Sequence, residues 1–422
     1  MIKFLMKGLL RDKSRSILPL IVVSLGALLT VFFSGYIKGA IEGMIEQSAR
    51  FDTGHVKIVT NAYADEISQK PLDLAILEAS TLQEKLEKQF PAMTFAQRIQ
   101  FGGMLDVPDA QGVSRAQGIG SAIAIDLRPQ SGELKRLNIR NAIQQGDLPQ
   151  NPFEILMGAG MMERLKLKIG EEITFFGATM DGGMAFQNLR LAGTVEFGNA
   201  VMDNQTFIIH LPDAQQILDM KDGCAEIVGY LPQEHFDLAQ SLSTQKAFNQ
   251  LQEAGEFEPT MLALSDQNGM DVILAMVENY TGILTFIFIL AISVVLWNTG
   301  LLGGLRRYQE FGIRIAMGET KKSIYKSLIA EAILIGFTGA TIGSILGIAG
   351  VIYLQENGLD IAPYLEGNQS MMIPNVLHAR FTPSLLYIGF IPGLCATVLG
   401  AILSGRGIFK RQTAELFNEL GV

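Results

Sequence analysis

The sequence predicts a membrane protein with a large soluble insert: four transmembrane helices, and an extracytoplasmic mixed α/β (α+β) domain inserted after the first. Three observations lead there. Of its 422 residues 18% are charged and 48% hydrophobic, with a mean hydropathy of +0.27, against about 25% charge in an ordinary soluble domain. Four charge-free runs, Ser16–Ile37, Asn279–Leu305, Ala332–Gln355 and Phe381–Gly405, each exceed the roughly 20 residues a helix needs to cross a hydrocarbon core of about 30 Å. Between the first two runs lies a long stretch of ordinary soluble composition with alternating strand-like segments.

In chain order, residues 1–16 come first. MIKFLMKGLLRDKSRS sets Ile2, Leu5, Met6, Leu9 and Leu10 on one helical face and Lys3, Lys7 and Arg11 off it, the pattern of a cytoplasmic interfacial helix resting on membrane lipids. The first span is placed at 17–40. Its apolar run is too long for a signal peptide, and no small-residue cleavage pattern follows Tyr36–Lys38. The later spans are placed at 272–303, 327–355 and 383–405, inside a permease-like segment 271–405 that is followed by a tail, 406–422. Fourteen of the 33 basic residues fall in three short segments: 1–15, 306–326 and the tail. Most carboxylates fall in 41–270. The excess of Lys and Arg marks the cytoplasmic side, so both termini are expected in the cytoplasm and 41–270 outside it.

Residues 41–270 read as two β-α-β units enclosing a β-rich part. HVKIVT (55–60), a helix around 74–89 and TFAQRIQFGGML (94–105) open the stretch, with RAQGIGSAIAID (115–126) following across a turn at Pro108–Gly112. AEIVGYL (225–231), a helix over 235–254 and FEPTMLALS (257–265) close it. Two such units commonly share one sheet with both helices on one side. The β-rich part, 127–220, has strands at 154–158, 173–176, 188–197 and 205–210, a turn at Gly170 and a helix capped near Asp213. Within it GATMDGGMAFQ (177–187) predicts an exposed hairpin tip, and Met180, Gly182, Gly183 and Met184 are its candidate partner contacts, methionine being an adaptable surface.

Chemistry is sparse. The net charge of −9 argues against nucleic acid as a partner. Cys224 and Cys395 are too few for a disulfide framework. His55, His210, His235 and His378 are scattered without metal-ligand spacing, and no catalytic arrangement stands out. There is no Gly-Lys pair, hence no phosphate-binding loop. Small residues recur at four-residue spacing in the third span, Gly339, Gly343 and Gly347, and in the fourth, Gly389, Gly393 and Thr397. Such stripes let helices approach closely in lipid. They predict packing of the third span against the fourth within one subunit.

The most informative stretch joins the second and third spans: LRRYQEFGIRIAMGETKKSIYKSLIAEAILIGFTGATIGSILG. A short helix is expected within 309–318. Gly318 stops it in the manner of a left-handed cap, and Thr320 starts the helix that enters the membrane. Phe311, Ile315 and Met317 supply apolar knobs, and Glu310 and Arg314 polar anchors. Glu331, one turn inside the third span, reads as an anchor to the interface rather than a proton carrier.

This loop resembles the signature of FtsX-like, MacB-type (type VII) ABC transporter permeases. The residues that carry the likeness are Glu310-Phe311-Gly312-Ile313, Ala316-Met317-Gly318 and Leu328-Ile329-Ala330-Glu331-Ala332, together with the tail RGIFKRQTAELFNEL and GAGMMERLKLKIGEEITF in the insert. Phe311 replaces the usual small aliphatic residue, and Thr413 the usual proline. The order of four spans with one insert matches, and the absence of a fused ATPase points to the layout of the lipoprotein-releasing permeases LolC and LolE. The resemblance implies a non-catalytic subunit of the bacterial inner membrane, working on a cytoplasmic ATPase dimer and paired with a second permease copy or paralogue. ATP and Mg belong to the ATPase, and this chain binds no cofactor. The loop would be the coupling helix, with Glu310, Phe311, Gly312, Ile313, Arg314, Ile315, Met317 and Gly318 as its ATPase contact. The β-α-β units would be the porter-like subdomain and 127–220 the sabre-like one. The implied work is mechanical: to extract or export an amphipathic cargo, with lipoprotein release first, MacB-like efflux or FtsX-like relay to a cell-wall hydrolase as the alternatives, and a periplasmic carrier as a further partner.

Overall fold

The computed structural model describes residues 13–109, 111–232, 236–275, 282–283, 286–287, 290–291, 294, 313–362 and 374–410. The chain separates into a helical unit, Met1–Ile41, Ala275–Leu359 and Leu377–Val422, and an α/β unit, Glu42–Leu274 and Asp360–Val376.

Among the described residues, three windows are long and apolar enough to cross a membrane: Ile17–Thr53, Lys321–Asn357 and Leu385–Leu403. The first belongs to a helix over Lys13–Ser48 that passes into a π-helical turn at Ala49–Thr53, ended by Gly54 at φ 62°. It outruns the predicted 17–40 because IEGMIEQS holds no proline and a single glycine, Gly43, too little to end a helix. The helix Lys321–Asn357 starts six residues before the predicted 327, since Thr320 caps it by accepting the Ser323 N–H. The last window combines Leu385–Ile388 and Phe390–Lys410 around Gly389. Most of the predicted span 272–303 lies outside the described residues, as do 1–12 and 411–422. Its described positions Ile283, Phe286, Ile287 and Leu290 expose apolar side chains.

The small-residue stripes pack within the unit, but not as the spacing predicted. A Cβ added at Gly339 would lie 3.0 Å from Val23 Cβ, one at Gly343 2.2 Å from the Ser24 carbonyl oxygen, and one at Gly347 2.8 Å from Val31 Cβ. The Gly339–Gly343–Gly347 row therefore meets the first helix, Lys13–Ser48, and not the fourth span. The fourth takes the neighbouring row: Gly336 faces Thr397, and Gly393 faces Ala340. A helix has a 100° step per residue, so a second small row one position over serves a second neighbour. The spacing identified a contact row but not which helix fills it.

In the α/β unit, β1 (Val56–Thr60), β2 (Thr94–Pro108), β9 (Glu226–Tyr230) and β10 (Pro259–Ala263) form an antiparallel sheet in the order β10-β1-β9-β2. A helix over Ala79–Gln89 joins β1 to β2, and one over Leu238–Asn249 joins β9 to β10. This is the split β-α-β arrangement of ferredoxin-like folds. The first helix is shorter than the predicted 74–89. Asp222 receives the N–H groups that open it, Ser80 N on its side chain and Ala79 N on its carbonyl. Asp237 caps the second by accepting the Gln240 N–H.

The second half of β2 leaves this sheet for another. There it pairs with β3 (Ser114–Ile125) and β6 (Glu172–Ala178); β3 pairs with β8 (Thr206–His210), β8 with β5 (Glu154–Gly158), β5 with β7 (Met184–Val195), and β7 with β6, while the short β4 (Ile143–Gly146) pairs only with the end of β7 among the described residues. The six strands close into a ring. Phe101, Phe175 and Phe207 fill it edge to face, with centroids 5.5 to 6.4 Å apart, a preferred aromatic geometry. Gly103 makes room for them: a Cβ there would lie 2.2 Å from the Phe175 ring. The ring thus starts inside β2, earlier than the predicted 127. Gly170 turns at φ 87° as expected. Asp213 does not cap the helix Leu211–Ile217; His210 holds that position, and the Asp213 carboxylate accepts the Phe153 N–H at 2.9 Å.

One face of the four-stranded sheet is apolar. Ile58 and Ile227 join Leu86 and Phe248 in the main core. The opposite face carries buried charge. Arg98 stands directly across from Glu226. The Lys57 ammonium lies 2.5 Å from Glu226 and 3.6 Å from Asp52. Arg98 donates to Glu133 and to the Tyr230 hydroxyl, both at 2.7 Å. Gln100 donates to Asp52 and Glu226, and Asn268 to Asp52 at 2.6 Å. Burial alone would depress the Lys57 ammonium, but Glu226 and Asp52 hold it above the usual lysine range. Burial would likewise raise the Glu133 carboxyl, and Arg98 with Arg136 keeps it below the usual range.

Candidate functional site

Two exposed features follow from this framework, one in each unit. In the helical unit, Ile313–Ala316 are helical and Met317–Gly318 turn. Gly318 sits at φ 93°, where its N–H reaches the Ile315 carbonyl at 3.0 Å and the Glu319 N–H the Arg314 carbonyl at 3.0 Å. Those two bonds define a Schellman stop. Among the described residues a Cβ at Gly318 would meet nothing within 4 Å, and its backbone conformation is what calls for glycine there.

The Arg314 guanidinium grips Glu319 with two bonds, Nε to Oε2 at 2.7 Å and Nη2 to Oε1 at 3.0 Å, and Ser323 Oγ donates to the same carboxylate. The hydrogen bond from Arg314 holds the Glu319 carboxyl below its usual range. Ile315 turns inward onto Ile324 and Leu328. Ile313 is 54% and Met317 75% exposed. Of the predicted contact residues, Arg314 is engaged in its own turn, Ile315 packs onto the following helix, and Ile313 and Met317 face outward. Glu310, Phe311 and Gly312 lie outside the described residues.

In the α/β unit, β6 and β7 form the predicted hairpin. Gly182 turns at φ 76°, and Thr179 Oγ1 accepts the Gly183 N–H at 2.9 Å. Its two methionines part company. Met184 is 86% exposed. Met180 packs onto the core, its N–H bonded to the Leu218 carbonyl at 2.9 Å. Beside the tip runs a row that the sequence reading missed. Ile119 lies opposite Met104, Met104 opposite Phe176, and Phe176 opposite Phe186. Ile119 is 79% exposed, and Met104 and Phe186 are exposed as well. Neighbouring strands lie about 4.8 Å apart, so the row spans about 15 Å of solvent-facing apolar surface. Each strand contributes one such residue, and only the strand register brings them together.

Comparison with known proteins finds a family match over part of the chain. Residues 282–413 match the FtsX-like permease C-terminal family. The chain carries an FtsX-like permease domain. It is also similar to the lipoprotein-releasing system transmembrane protein LolC of Haemophilus influenzae, 23% identical over 254 residues, which cover 58% of this chain and 59% of that protein. The match thus spans about three fifths of the curated relative. Among solved structures, the periplasmic region of MacB from Actinobacillus actinomycetemcomitans is 12% identical and aligns with a TM-score of 0.36, covering 56% of this chain and 98% of that one.

The permease match takes in the Gly318 turn, the helix Lys321–Asn357 and the Gly336–Gly347 and Gly393 contacts. The family is one of ABC transporter permease subunits. Among the described residues no three His, Cys, Asp or Glu side chains come close enough to hold a metal ion. Cys224 is buried in the core of the α/β unit, and burial pushes its thiol up.

Proposed function

We propose that the chain is the transmembrane subunit of an ATP-driven transporter, working with a cytoplasmic ATPase dimer that carries the ATP and Mg, and with a second permease copy or paralogue. The observation that carries the reading is the permease match together with its capped loop, which presents Ile313 and Met317 from a turn already locked by Arg314 and Glu319. Apolar knobs on a stiff turn suit a socket on a moving partner. In this reading four spans cross the inner membrane, with 272–303 as the second, both termini lie inside, and the α/β unit lies outside. Its four-stranded sheet is then the porter-like subdomain and its ring the sabre-like one. Motion of the ATPase pushes the loop and the helix Lys321–Asn357, whose glycines sit on the helix Lys13–Ser48. That helix continues by the chain itself into the α/β unit.

Lipoprotein release is the favoured cargo reading, supported by the LolC relative and by the apolar row beside Met184, a docking surface for a periplasmic carrier or the cargo itself. Replacing Ile313 and Met317 together with aspartate should abolish co-purification of the ATPase; undiminished co-purification would remove the loop assignment. Photocrosslinkers at Met184, Phe186 and the outer ends of the first two spans should capture acylated protein. Capture of small molecules alone would move the assignment to efflux, and capture of a cell-wall hydrolase to a mechanical relay.

A further inference from the structure

The α/β unit holds a groove that neither the loop nor the hairpin tip explains. It encloses about 510 Å³ between the helix Ala79–Gln89, the end of the helix Leu238–Asn249 and the segment leading into β10, within the roughly 300–1,000 Å³ typical of small-molecule sites. Its floor is made by the buried Ile76, Leu86 and Phe248, with Leu82 and Met180 half-buried beside them. At the lip, Leu77 is 61% and Phe257 62% exposed. The charges around it are unbalanced: Asp73, Glu78 and Glu258 line it against Lys85, and all four are exposed.

Glu78 is the informative member. It precedes the helix Ala79–Gln89 with φ 52°, a left-handed conformation costly for a residue with a side chain. Its carboxylate makes no capping bond; Asp222 accepts the Ser80 N–H on its side chain and the Ala79 N–H on its carbonyl instead. Glu78 holds the N-cap position through its backbone, its carbonyl accepting the Thr81 and Leu82 N–H groups, while its carboxylate plays no part in the cap.

We propose that this groove binds a cationic amphiphile: an apolar body laid on Leu86, Phe248 and Leu82, with an amine at the mouth among Glu78, Glu258 and Asp73. The three carboxylates select for positive charge. Phe257 offers an aromatic face at the same mouth. Met180 is an adaptable wall. Because Met180 belongs to the hairpin segment, an occupant touches both the four-stranded sheet's helices and the ring's hairpin.

The proposal is independent of the ATPase partnership, and its test uses the full chain alone in lipid nanodiscs. Three photoreactive probes with the same ten-carbon diazirine chain would be compared: an amine, an alcohol and a carboxylic acid. Labelled peptides are mapped by mass spectrometry, so probe dissolved in lipid marks the spans and not the groove. The amine should label 72–89 and 248–259 at least tenfold more than the alcohol, and the acid least. Glu78→Gln with Glu258→Gln, at unchanged melting temperature, should cut the preference for the amine to below threefold. Leu82→Trp should fill the groove and remove the labelling. Equal labelling by all three probes, an undiminished amine preference in the double Gln variant, or labelling that survives in folded Leu82→Trp would overturn the assignment.

Discussion

In the α/β unit the sheet face behind the helices keeps Lys57, Arg98, Glu133 and Glu226 charged and almost fully buried. In the helical unit the buried positions of the helix Lys321–Asn357 include the small residues Gly336, Gly339, Ala340, Gly343 and Gly347. The difference follows from the solvent each was built for. A soluble unit gains from burying apolar volume and can spend part of that gain on desolvated charge, which fixes geometry through directed bonds. A bundle in lipid gains nothing from hiding apolar groups, so close approach of backbones must do the work. Charge fixes geometry in one unit, and missing side chains do so in the other.

That comparison can be broken from either side. The largest effect is expected at Lys57→Met, which removes the buried ammonium 2.5 Å from Glu226 and leaves Asp52 paired, among the described cations, with Lys70 alone. A loss of about 3–5 kcal/mol in the α/β unit is expected, read by hydrogen exchange of β1 and β9. The double variant Lys57→Met with Glu226→Leu should recover most of it, since removing both partners is nearly neutral where removing one is not. A double variant as unstable as the single would mean that the charge was not the issue. Next comes Gly343→Ala. Its new Cβ would lie 2.2 Å from the Ser24 carbonyl oxygen, so a cost of about 1–3 kcal/mol is expected. Gly347→Ala should cost less, and Gly339→Ala least, in the order of their clearances of 2.8 and 3.0 Å. Thermal unfolding in nanodiscs would show a reversed order if helix contacts differ.

A third change tests a buried carboxylate with no cation beside it. Burial pushes Asp203 up to about 6 from an ordinary 3.8, despite a 2.6 Å bond from the Phe197 N–H. A raised carboxyl pKa means that the folded state holds the proton more tightly than the unfolded one. This contribution is complete below pH 4 and is lost as the pH rises through 6. Asp203→Asn should therefore flatten the stability profile between pH 4 and 6.5 and gain on the order of 2 kcal/mol at pH 7.5. An unchanged profile would place the titration elsewhere. Smallest is Gly318→Ala, about 1 kcal/mol, from left-handed backbone strain alone.

How much was legible follows the same divide. The two β-α-β units were readable because alternation in HVKIVT and AEIVGYL is local, and so was the Gly318–Thr320 stop and restart. The ring was not, because its closure rests on β2 pairing with both β3 and β6, a non-local register that no short segment states. The apolar row from Ile119 to Phe186 was hidden for the same reason. The glycine rows announced close packing through spacing, but their partner depends on which neighbour lies across each row. Asp213 looked like a cap by residue type, whereas its carboxylate serves Phe153 from another element. The groove was invisible, since its walls come from residues as far apart as Asp73 and Pro259.

The way β2 is shared has a temporal consequence. Every strand of the ring lies between Thr94 and His210, whereas β1 must wait for β9 at Glu226 and for β10 at Pro259. As the chain is made from its N-terminus, the ring can be finished while β1 is still unpaired. Closing the four-stranded sheet then needs only one further helix and two strands, added to a template that β2 already presents. An insertion in the ring should delay maturation of the whole α/β unit, and one after Tyr230 should stall only its final step.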